Sequence, residues 1–172
     1  MANARRLFYT VAVTTSIVIA TATASAASPA FCSGLKSVAA ETGNGFERLR
    51  GAQLSVRHGT SGLTYTDYTY AATSSLLGAI PSTCQIVTTV DAGTASGAYR
   101  CFFAYGSHKR LDKLGNIMDD ITACIGPTSE DNIDVDTDND VGDVEFDRPT
   151  FKISLSASDS QPLVLLISKP TP

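Results

Sequence analysis

The chain has 172 residues, with 17 acidic side chains against 13 basic ones, 43% hydrophobic residues and no tryptophan. At this length one domain with a sizeable core is expected. The acidic balance excludes the basic footprint of a nucleic-acid binder.

Residues 1–26 read as a secretory signal peptide rather than as part of the fold. Arg5 and Arg6 give a positive start, and an apolar stretch diluted by threonine follows. Ala24 and Ala26 are the small residues a signal peptidase needs. The apolar run falls short of the ~20 residues of a membrane span, so no span is expected after signal cleavage. "ARRLFY" resembles the twin-arginine export motif through Arg5, Arg6 and Phe8. Phe31 before Cys32 does not suit a lipoprotein acceptor. Removing Arg5 and Arg6 leaves 11 basic against 17 acidic residues, a charge of −6 over the expected domain 27–172.

All four cysteines, Cys32, Cys84, Cys101 and Cys124, fall in that domain. An even number in an exported chain reads as two disulfides. Zinc is the rival, but spacings of 52, 17 and 23 residues lack the close pairs of a structural zinc site.

In chain order, residues 32–50 carry a helical stripe of Leu35, Val38, Ala39, Phe46 and Leu49. "TGNG" at 42–45 predicts a break or kink in it, and Gly51 a cap at its end. Residues 52–70 alternate, with Leu54 and Val56, then Leu63 and Tyr65, at period two around the turn "GTSG". Two strands in a hairpin are expected there. "TCQIVTTV" and "AYRCFFAY" are two further strands joined by "DAGTASG". Residues 107–125 predict the clearest helix, with Ser107 as N-cap and Leu111, Leu114, Met118, Ile121 and Ile125 on one face. Gly126 and Pro127 stop it. "TFKISLSAS" and "PLVLLIS" alternate and predict a last hairpin. The sequence shows no internal repeat.

Antiparallel packing of the two helices would join Cys32 to Cys124, and a ladder would join Cys84 to Cys101. That pairing is favoured over Cys32–Cys101 with Cys84–Cys124. The resulting fold class is α+β, a two-layer sandwich: a mainly antiparallel sheet with two helices on one face and two disulfides.

The excess negative charge is local. Residues 130–147 hold nine acids and no lysine or arginine. Asp134 to Glu145, "DVDTDNDVGDVE", resembles the twelve-residue EF-hand calcium loop. Asp134, Asp136 and Asp138 match its first side-chain ligands, the Asp140 carbonyl the backbone ligand, and Glu145 the bidentate twelfth position. Asn139 stands where that family has glycine, and neither flanking helix is expected. The simpler reading is a solvated acidic loop.

Two histidines, His58 and His108, are the only candidate bases, and no "GxSxG" occurs. Both read as solvated surface residues. Arg48, Arg50, Arg57 and Arg100 offer a basic patch that would meet the acidic loop or an acidic partner. Tyr68 and Tyr70 share one strand face. Tyr68, Tyr70, Arg57 and Arg100 are therefore the candidate binding surface. The preferred function is an exported, non-enzymatic binding or inhibitor-like protein, whose partner is an unidentified protein or envelope component. No cofactor is expected unless the acidic loop takes calcium. The alternatives are that calcium-binding module and a small secreted hydrolase.

Overall fold

The computed structural model describes residues 27–59, 64–80, 83–106, 109–128, 131–158 and 161–170. The expected signal peptide, Leu63, Ser107 and His108 lie outside the described residues.

Helix α1 (Pro29–Ala39) is followed by two 3-10 turns, Thr42–Asn44 and Glu47–Leu49. Four strands come next: β1 (Arg50–His58), β2 (Thr66–Ala72), β3 (Gln85–Asp91) and β4 (Thr94–Phe103). Helix α2 (Arg110–Ile125) leads into β5 (Asn132–Asp136), β6 (Val141–Asp147), β7 (Lys152–Ala157) and β8 (Leu163–Ser168). All eight strands form one sheet in the order β1-β2-β3-β4-β8-β7-β6-β5, and every neighbouring pair is antiparallel. The α+β class holds, with both helices packed against the sheet.

The order maps onto itself when β1–β4 are exchanged with β5–β8. Each half is a helix followed by a four-strand meander, and the halves meet where β4 pairs β8. The repeat exists in topology while the sequence shows none. Cys32–Cys124 joins the two helices, and Cys84–Cys101 crosses β3 and β4 just outside the Gln85–Arg100 pair. Their Cα separations are 5.0 and 4.1 Å. The favoured connectivity is the observed one.

Strand alternation builds the core. Ile86, Tyr99, Ile167, Ile153 and Phe146 form a row of cross-strand partners from β3 to β6, all fully or almost fully buried. Leu35 and Val38 of α1 and Leu114, Ile117 and Ile121 of α2 close over this side. Burying each such side chain stabilises by about 1.5–3 kcal/mol before entropy is counted. β1 beyond Arg50 is exposed and β2 only half-buried, so that edge of the sheet reaches past the helix layer.

Two elements depart from expectation. The first helix ends at Ala39 instead of running to residue 50. Gly45 and Phe46 both take left-handed backbone, φ 60° and 61°, which no helix can continue through. Phe46 nonetheless reaches the core, its ring 6.2 Å from that of Tyr99. Burial there offsets a conformation that costs a non-glycine residue of order 1–3 kcal/mol. Gly51 accordingly lies in β1 rather than capping a helix. The second departure is the acidic segment, which is a hairpin of β5 and β6 and not a loop.

Candidate functional site

The β5–β6 hairpin places each expected calcium ligand. Asp134 stands opposite Asp143 and Asp136 opposite Val141, while Glu145 is opposite Asn132. Residues 137–140 form the connection. The Asp136 carboxylate holds that turn, accepting from the backbone N–H of Asp138 (3.0 Å) and Asn139 (3.2 Å) and from Asn139 Nδ2 (2.6 Å). The bonds from Asn139, side chain first, hold the Asp136 carboxyl below the usual aspartate range. Asp140 has φ 54° and turns toward α2. Its carboxylate accepts from the N–H groups of Arg110 (3.2 Å) and Leu111 (3.3 Å), and its carbonyl accepts from Arg110 Nε (2.8 Å). Asp140 therefore caps α2, whose own N-cap residue, Lys109, supplies no side-chain cap.

The remaining acids are also engaged locally. Glu145 takes Lys152 Nζ at 2.9 Å, and Asp143 accepts from Ser156 Oγ. Asp131 pairs with Arg148 Nη1 at 2.6 Å, both side chains nearly buried. Burial pushes the Asp131 carboxyl up, but bonds from Arg148 and Thr128 together with the Arg148 charge bring it below the ordinary value. The acidic run is thus met by Arg110, Arg148 and Lys152, not by the expected Arg48, Arg50, Arg57 and Arg100. Asp134, Asp136, Asp138, Asp140 and Glu145 do not converge. Among the described residues no group of three or more His, Cys, Asp or Glu is placed to hold a metal ion.

The pleat separates the four residues expected to share a binding surface. Tyr68 pairs with Thr88 and Tyr70 with Ile86, which puts both tyrosines on the helix side of the sheet. Arg57 pairs with Asp67, and Arg100 with Gln85 and Leu166, on the outer side. The centre of that outer side is apolar and half-buried: Val87, Ala98, Phe102, Val164 and Leu166. The Arg100 guanidinium lies over the Phe102 ring at 5.2 Å and donates to Gln85 Oε1 at 2.9 Å. Burial first and the Arg57 charge second draw the Arg100 pKa below that of an ordinary arginine, against Asp67. The two halves of this face differ in charge. In the first half Arg57 and Arg100 are matched by Asp67 and Asp91; in the second, Asp134, Asp136, Asp143, Glu145 and Asp147 outnumber Lys152.

Sequence reading missed a polar cleft on the other side of the sheet. It has a volume of about 520 Å³ and lies between the turn over residues 43–50 and the β3–β4 hairpin. At its edge the turn packs directly on β4 because Gly97 lacks a side chain: a Cβ there would sit 2.8 Å from the Gly45 carbonyl oxygen. Its strand partner Thr88 lines the floor, 7% exposed, with no hydrogen bond to its Oγ1. Arg50 lines the wall with its guanidinium 5.3 Å from the Tyr70 ring centroid and Nη2 donating to Gly45 O at 3.3 Å. Arg50 Nε is buried and unpartnered. The one readable signal was glycine at both 45 and 97, where two backbones touch.

His58 is exposed at the end of β1, and its Nδ1 lies 3.1 Å from Thr66 Oγ1. No described helix is long and apolar enough to cross a membrane. Comparison with family models, with curated proteins and with solved structures found no match.

Proposed function

We propose that the protein is exported and works by binding, without catalysis, a protein partner of the cell envelope. Two disulfides, one joining the helices and one inside the sheet, suit an oxidising compartment. The observation that carries the binding reading is the outer side of the sheet. No described helix covers it, and Val87, Phe102, Val164 and Leu166 form its apolar centre. An apolar centre with charges around it is the composition of a recognition surface. The acidic excess over β5–β6 commits the partner to a matching pattern: an apolar patch with basic groups over β5–β6.

The test is capture from envelope extract with immobilised protein and with its Leu166→Glu variant. Leu166 points outward on β8, away from the helix-side core, and a melting curve of the variant checks that the fold is kept. The expected result is one partner retained by the wild type, lost with Leu166→Glu and released by ~0.5 M salt, where exposed charge pairs are screened. Equal retention by both forms removes the outer side as the binding surface.

A further inference from the structure

The two edges of the sheet lie away from the outer-side centre proposed above, and each carries what the other lacks. β1 has Arg50, Arg57 and His58 and no acid, whereas β5 has Asp134 and Asp136 and no base. β1 beyond Arg50 and all of β5 are exposed. An exposed edge offers unpaired backbone groups to a further strand. On β1 those groups can be placed. Gly59 N donates to Tyr65 O at 2.8 Å, and bonded pairs alternate along an antiparallel ladder, so the N–H and C=O groups of Val56 and His58 point to the open side. Direction alternates at every step across the eight strands, which leaves β1 and β5 antiparallel to each other. A second copy laid beside the first in the same orientation therefore brings its β1 antiparallel to β5, with the helices of both on one side.

The side chains fit one register. Val56 lies on the helix side through its pairing with Tyr68, and Ile133 through its pairing with buried Val144. Arg57 and Asp134 lie on the outer side. Setting Arg57 against Asp134 puts Val56 against Val135, His58 against Ile133 and Ser55 against Asp136. A shift of two residues either sets Arg57 against Asn132 or runs β1 off the end of β5. Val56, Ile133 and Val135 are 41%, 57% and 40% exposed, so the contact covers apolar surface that each copy alone leaves in water. Asp134 faces a like charge, Asp143, within its own hairpin. Such a pair destabilises a sheet, and a guanidinium beside it offsets that. The helices make their main contacts with β6, β7 and β8, which leaves room at the junction. Pairing of like edges has no such match, since β5 against β5 sets aspartates together.

We infer that copies of this chain associate head to tail, the β1 edge of one adding antiparallel to the β5 edge of the next, with Arg57 against Asp134 and Val56 against Val135. Such a contact uses two different surfaces and leaves both ends of the assembly open to further copies. So short a ladder falls below the ~800 Å² per partner of a stable complex, and copies join only at about 0.1–1 mM.

The experiment is sedimentation of the protein from ~10 µM to ~1 mM, a range that brackets that affinity. The average mass should rise with concentration past two copies, and fall back in ~0.5 M salt. Arg57→Asp and Asp134→Arg should each weaken self-association about tenfold. An equimolar mixture of these two variants should regain it, because every junction between unlike copies again sets opposite charges together. Val56→Pro removes an N–H that points out of the sheet, so it should weaken association while the melting midpoint stays close to that of the wild type. If Val56→Pro fails to fold, the mixture decides. Leu166→Glu should associate as the wild type does, which separates this contact from the outer side. A monomer at every concentration, a mass that stops at two copies, a mixture no better than its components, or association lost with Leu166→Glu would overturn the head-to-tail contact. None of these results bears on capture of an envelope partner by the outer side, except the last, which would move self-association to that surface.

Discussion

Single residues carry much of the burden where elements meet, and Arg148 shows how. Its Nη1 donates to Asp131 Oδ1 (2.6 Å), Asp147 O (2.7 Å) and Thr128 Oγ1 (3.2 Å), and Nη2 reaches Gly126 O. One guanidinium therefore ties the end of α2, the segment before β5 and the end of β6. Removing it leaves a nearly buried carboxylate and backbone carbonyls without donors. Arg148→Ala should lose about 2–3 kcal/mol in urea unfolding. Arg148→Lys should recover less than half, because one ammonium cannot span the four acceptors. A loss under ~0.5 kcal/mol, the range of an ordinary surface change, would sink this account. Tyr99 makes a second residue-scale prediction. Burial raises its hydroxyl to about 12, a backbone bond from Leu76 opposing. The folded pKa lies above the unfolded value of ~10. The protection is thus complete below pH ~10 and is lost as pH climbs through ~12. Over that window the unfolded chain loses the proton first, and stability should drop by on the order of 2–3 kcal/mol. Tyr99→Phe should flatten this part of a stability-against-pH curve; an unchanged slope would show another group responsible.

At the scale of elements, the acidic hairpin works as a clamp on α2. Asp140 supplies the cap that Lys109 does not. Asp140→Ala should cost about 1–2 kcal/mol through the lost cap and the lost charge at the helix N-terminus. Asp140→Asn accepts the left-handed backbone equally well and should cost less. Circular dichroism with thermal melting orders the three proteins. The same geometry predicts that millimolar calcium leaves the melting midpoint unmoved. A rise of several degrees that Asp134→Ala abolished would restore the calcium loop. These assignments also show what the sequence made legible. Helical stripes, alternating strands and cysteine placement led to the α+β class and both disulfides, because periodicity reports burial directly. The hairpin escaped because charge outweighed period: Ile133 and Val135 alternate with Asp134 and Asp136, yet all four are exposed. An exposed strand has no burial signal beyond that alternation. The cap by Asp140 and the cleft at Gly97 escaped for a different reason. Each joins residues 30 or more positions apart, Asp140 with Arg110 and Gly97 with Gly45, and only the folded chain brings them together.

For the whole molecule, the halves are equivalent in topology but not in how they are held. The sheet runs unbroken through β4 and β8, and its edges β1 and β5 expose Leu54, Val56, Ile133 and Val135. Irregular register in β1 and the aspartates of β5 act against edge-to-edge pairing with unrelated chains. The helix layer needs its own tie, since α1 and α2 belong to different halves. Cys32–Cys124 provides it across 92 residues, whereas Cys84–Cys101 closes only 17 residues inside one ladder already held by backbone bonds. Loop-closure entropy then ranks them: about 4.6 kcal/mol for the long link and about 3 kcal/mol for the short one. Alanine is the right replacement, because serine would bury a hydroxyl at Cys84 and Cys101, which are 3% and 0% exposed. Cys32→Ala with Cys124→Ala should therefore destabilise the protein more than Cys84→Ala with Cys101→Ala, by about 1.5 kcal/mol in guanidinium unfolding. The long link should also change the form of the transition. Without it, the halves share only the β4–β8 ladder and the common core, so α1 should lose amide-exchange protection before the sheet does. Equal losses in the two double variants, or a larger loss for the short link, would mean that local packing around Cys84 and Cys101 outweighs chain entropy. The two helices would then be held over the sheet by their apolar faces alone.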